Sequence, residues 1–110
     1  MLNKEDLLGL GLAQKIVELP TGEVTIKEFT TSDRENFELM AMNMQKGGAK
    51  NMKAKLISIS VITAEGGRMF GDDEVGKISQ MPSKITELLF NEILELNGMG
   101  DGALGASEGN

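Results

Sequence analysis

Residues 49–67 read AKNMKAKLISISVITAEGG, and the balance of helix and sheet in the whole chain turns on them. LISISVIT alternates apolar with polar side chains and is rich in β-branched residues, the pattern of a half-buried strand. Yet Met52, Leu56, Ile59 and Thr63 recur at helical spacing, and Ala49 to Lys55 is good helix-forming sequence. Local pattern leaves both readings open.

The flanking segments are plainer. KIVEL and EVTIKEF surround PTG, so two β-favouring runs around a proline and a glycine predict a hairpin from Lys15 to Phe29. Such a hairpin is marginal alone, so one face, Val17, Leu19, Val24 and Ile26, is expected to pack on helices. In TSDRENFELMAMNMQKGG, Ser32 followed by Glu35 reads as a capping box, and Gly47 and Gly48 read as a stop. A helix from Asp33 to Lys46 follows. At about 100° per residue, Phe37, Met40, Ala41 and Met44 form its core stripe, whereas Leu39 and Met42 point the opposite way, among Glu35, Glu38 and Lys46.

Downstream, GDDEVGKISQMP offers Asp72 or Asp73 as a cap, apolar Val75, Ile78 and Met81, and Pro82 as a stop. PSKITELLFNEILELNG predicts a helix capped by Ser83, with Ile85, Leu88, Leu89, Ile93 and Leu96 on one stripe and Gly98 as terminator. Upstream of the hairpin, Asn3 suits a cap and Glu5 and Asp6 a first turn, while Gly9 and Gly11 weaken anything longer. The expected organisation is an N-terminal arm over 1–14, one domain over 15–98, and a mobile Gly-rich tail over 99–110.

Composition limits the chemistry. A chain of 110 residues makes one domain, so anything larger comes from assembly. With no cysteine and no histidine, the common zinc sites and the Ser-His and Cys-His nucleophile pairs are ruled out. A net charge of −6 argues against nucleic acid as a partner. Lys46, Lys50, Lys53 and Lys55 form one basic segment, but with no Trp or Tyr it lacks stacking partners and reads as solvated surface. No apolar run is long enough for a signal peptide or a spanning helix, so a soluble intracellular protein with no membrane partner is expected.

Three clusters invite a site and are better explained otherwise. Gly71, Gly76 and Lys77 have phosphate-loop spacing, but Ile78 stands where a hydroxyl should bind magnesium, and Asp72, Asp73 and Glu74 would repel phosphate. Those acids lack an EF-hand's ligand pattern, so capping accounts for them without a metal. Glu87, Glu92 and Glu95 lie beside the last helix's apolar stripe and read as a solvated face rather than an acid–base pair. No catalytic residue, cofactor or metal is expected. Leu39 and Met42 stand apart: two apolar neighbours on the polar face of a helix suit a partner surface, with Lys50 and Lys53 as rim contacts.

VELPTGEVTIKEFTTSDRENFE, AKLISISVITAEGGRMFGDDEV and MPSKITELLFNEILELNG together resemble the tail assembly chaperones of long-tailed bacteriophages, over about Val17 to Gly98. The shared order is hairpin, capped helix, helix, Gly turn, short Phe-containing segment, acidic cap and a final helix with an Asn-Gly-like stop. The resemblance implies that Asn51 to Thr63 is helical, making a mostly helical α+β domain. It implies a non-enzymatic protein of the host cytoplasm that binds the tape measure protein, keeps it soluble, and is absent from the mature virion. It further implies a longer, frameshifted form recruiting tail tube protein, with the extension starting in the Gly-rich tail. Self-association stays open, and the rival expectation is a structural minor tail or head–tail joining protein.

Overall fold

The LISIS segment is a buried helix at the centre of the fold. The computed structural model describes residues 1–43 and 51–99. In chain order the elements are α1 (Lys4–Leu8), β1 (Gln14–Leu19), β2 (Gly22–Lys27), α2 (Thr31–Met42), α3 (Met52–Ser60), β3 (Val61–Ile62), a 3-10 turn (Asp72–Glu74), α4 (Val75–Ile78) and α5 (Ser83–Leu96). The result is the expected small α+β domain with an N-terminal hairpin.

The hairpin pairs Val17 with Val24 and Lys15 with Ile26, closing through the two-residue loop Pro20-Thr21. Gly22 follows at φ +153, a conformation that side-chain-bearing residues rarely adopt. Directly opposite residues share a face, so Val17, Val24 and Ile26 point the same way, together with Leu19. That face meets the helices as expected: Val17 and Ile26 are buried, and Leu19 and Val24 pack against the core.

The contested segment divides. Residues 52–60 are helix, but Val61 turns extended and pairs with Ile26, while Ile62 pairs with Thr25, so the sheet runs β1-β2-β3. The helix expected to reach Thr63 therefore ends three residues early. The alternation misleads because it assumes outward serines, whereas Ser58 and Ser60 are 2% and 1% exposed. They sit in the interior with Met52, Ala54, Leu56 and Ile57, and α3 packs on α2, α4 and α5. Ser58 Oγ donates to the Lys55 carbonyl at 2.7 Å, which lets a hydroxyl be buried at modest cost. Arg68 folds back over the Thr63–Gly67 turn and donates from Nε to the Ser58 carbonyl at 3.1 Å, satisfying one of the helix's orphan acceptors.

The caps differ from expectation in three places. Thr30, not Ser32, caps α2: its hydroxyl accepts the Asp33 N–H at 3.0 Å, and Asp33 accepts the Thr30 N–H at 3.2 Å. Thr30 wins because the chain leaves β2 at Lys27 and must turn at once to bury Phe29 and Phe37, whose ring centroids lie 6.1 Å apart. Neither Asp72 nor Asp73 caps the 3-10 turn; Glu74 reaches back to the Gly71 N–H at 2.9 Å instead. Pro82, not Ser83, stands at the cap of α5, with no side-chain cap hydrogen bond.

Helix α5 forms the other half of the core, packing on α3 and on the hairpin. Its buried set is Leu89, Phe90, Ile93 and Leu94, wider than the expected stripe, of which Ile85, Leu88 and Leu96 pack at the margin. Gly98 terminates it as expected, at φ +72. Gly98 N–H donates to Glu95 O and Met99 N–H to Leu94 O, a paired closure that places Met99 in the core rather than in the tail. The remaining tail, 100–110, and the Gly47-Gly48 stop lie outside the described residues. Asn3 caps α1 reciprocally with Asp6.

Candidate functional site

The outer face of α2 is the candidate interface. Phe37 anchors the helix, 1% exposed, and Met40 packs against the core beside it. That anchoring fixes the rotation of α2 and turns the opposite side to solvent. Leu39 is 57% and Met42 74% exposed, so both occupy the outward positions that helical spacing predicts. Met44, Lys46 and Lys50 lie outside the described residues, so the expected core placement of Met44 and the rim role of Lys50 have no structural counterpart here.

A groove borders this face. It is lined by Glu28, Phe29, Thr30, Thr31, Arg34, Glu35, Glu38 and Asn97 and has a volume of about 390 Å³. Arg34 crosses it, with Nε 3.6 Å from Glu38 Oε2 and Nη1 donating to the Asn97 carbonyl at 3.3 Å. Asn97 holds the groove's floor. Its Oδ1 accepts the Phe29 N–H at 2.8 Å, and its Nδ2 donates to the Ile93 carbonyl at 2.7 Å. One side chain thus ties the end of α5 to the β2–α2 junction.

Lys53 sits on α3 with its side chain half-exposed. Its ammonium pairs with Glu87 of α5 and lies 5.3 Å from the centroid of the Phe90 ring, so it serves the α3–α5 contact. Glu92 and Glu95 are likewise not a merely solvated face. Both take Lys15 of β1, at 2.5 and 3.4 Å, and their hydrogen bonds hold its ammonium above the usual lysine range. These pairs fasten α5 to its two neighbours.

The phosphate-loop spacing has no matching geometry. The Gly71 N–H that could face a phosphate is occupied by Glu74, whose carboxyl it holds below the usual range, and Lys77 lies 3.5 Å from that same carboxylate. Among the described residues, no group of three or more His, Cys, Asp or Glu side chains is placed to hold a metal ion. A second cavity of about 350 Å³, between Asn51 to Ala54 and Ile78, Ser79 and Thr86, brings together only hydroxyl, amide and apolar groups beside Lys53.

Sequence reasoning missed one large feature. Leu2, Leu7, Leu8, Leu10 and Leu12 are all exposed, no residue of α1 is buried, and Ile16 is exposed on the hairpin's outer side. The signal was present as five leucines within the first dozen residues, but Gly9 and Gly11 interrupt any period that would assign them a face. Asn97 was legible only as part of a helix stop, because Phe29 lies 68 residues away. No described helix is long and apolar enough to cross a membrane. No protein-family model, curated protein or solved structure matches this chain.

Proposed function

We propose that the chain is a tail assembly chaperone of long-tailed bacteriophages, a non-enzymatic protein that binds the tape measure protein and keeps it soluble until the tail tube polymerises. The observation that carries this reading is the pair Leu39 and Met42, held outward on a helix whose other side is locked by Phe37. An unbranched thioether beside a leucine adapts to varied apolar surfaces, as a chaperone of a long helical client requires. The order of hairpin, α2, α3, glycine turn and α5 with its Asn97-Gly98 stop also supports the reading.

Mechanistically, the client lays the apolar side of a helix on the outer face of α2, removing that side from water. Burial is worth roughly 25 cal/mol per Å² before ordering costs, so two side chains give a weak and reversible grip. Reversibility suits a factor that leaves when tube subunits compete for the client. Those subunits are recruited by a longer form that extends from the Gly-rich C-terminus. The protein acts in the host cytoplasm and is absent from the finished particle.

The test is co-expression with a tape measure protein of a long-tailed phage. A several-fold rise in that protein's soluble fraction, and no trace of this chain in purified particles by mass spectrometry, is the expected result. An unchanged soluble fraction, or stoichiometric retention in particles as for a structural tail protein, would overturn the proposal.

A further inference from the structure

We infer that the client helix carries lysine or arginine beside its apolar stripe, with those cations seated in the acidic groove that continues the Leu39–Met42 patch along α2. This rests on reading the outer face of α2 as the client surface. Residues four apart on a helix are stacked neighbours, so Glu35 adjoins Leu39 and Glu38 adjoins Met42. Patch and groove form one strip. Among the described residues, the groove's charged lining is Glu28, Glu35 and Glu38 against a single cation, Arg34.

That cation is already engaged by Glu38 and by the Asn97 carbonyl. Glu28 gives one oxygen to the Ala13 N–H at 2.8 Å, and the Glu35 carboxylate makes no hydrogen bond or ion pair among the described residues. Among the described residues, the strip therefore has spare negative charge next to apolar surface. Lys53 cannot offset it from α3, being paired with Glu87. Complementarity selects a client flank of the opposite sign, and repulsion rejects an acidic one.

The protein has no Trp and no Tyr, so a Trp-bearing peptide supplies the sole indole signal in a titration. Two synthetic amphipathic helices share one leucine stripe, flanked by lysines in the first and by glutamates in the second. The lysine peptide should bind about tenfold tighter, an advantage that shrinks as salt rises to roughly 0.5 M. The double variant E35Q/E38Q should lose most of that advantage. E18Q/E23Q, with the same charge change on the hairpin's outer side, should keep it. L39S/M42S should weaken both peptides.

Equal binding of the two peptides by the unaltered protein, or equal loss in both charge variants, overturns the inference while the Leu39–Met42 reading stands. A lysine peptide that binds L39S/M42S undiminished removes that reading and this inference with it.

Discussion

Asn97 shows how much one side chain can decide. Its amide satisfies the Phe29 N–H and the Ile93 carbonyl, and its own carbonyl takes Arg34, so three elements converge on it. Asn97→Ala leaves the Phe29 N–H without its partner and should cost about 1–3 kcal/mol in urea unfolding. A change below a few tenths of a kcal/mol would mean the junction is held by packing alone. Glu23 makes the opposite case. It faces Glu18 directly across the hairpin, and their hydrogen bond with mutual repulsion raises its carboxyl above the ordinary value of 4.5. A raised folded value gives stability that is present below the unfolded value and lost as pH rises through the folded one. Glu23→Gln should therefore melt higher than the parent at pH 7, by no more than about 3 °C, with the gap closing as pH falls below 4.5. A gap that widens on acidification would contradict the pairing. Glu74 runs the other way: its depressed value gives stability above the unfolded value that is lost as pH falls through the folded one.

At the scale of elements, legibility follows how local the deciding interaction is. The hairpin, the outward Leu39 and Met42, and the Gly98 stop rest on neighbours within a few positions, and all were readable. The division of LISISVIT was not. Whether Ser58 and Ser60 are inside depends on α5 and β2 arriving from elsewhere, and only then does Val61 leave the helix to pair with Ile26. Cap positions slipped for the same reason: Thr30 and Ser32 are both competent caps, and burial of Phe29 chooses between them. The leucine-rich arm tests this logic. Since α1 buries nothing, deleting residues 1–12 should shift the melting temperature by less than about 2 °C. A large loss would show that the arm docks on the domain in solution.

For the whole molecule, two surfaces with different physics are separated. The core runs through Ile26, Phe37, Leu56, Ile57 and Ile93, all essentially inaccessible, and the Lys15 and Lys53 ion pairs fasten α5 to the hairpin and to α3 around it. Leu39 and Met42 lie outside that framework, so removing them should leave it intact. This independence makes the chaperone reading testable without confusion from unfolding. Folded stability is typically only about 5–15 kcal/mol, so a surface change with real structural consequences would be visible at once. The direct measurement is co-purification of the tape measure protein with the parent and with L39S/M42S, their thermal melts recorded in parallel. The account predicts a strong loss of co-purified client with melting temperatures within about 2 °C of each other. Client yield that stays unchanged in the double variant would contradict it.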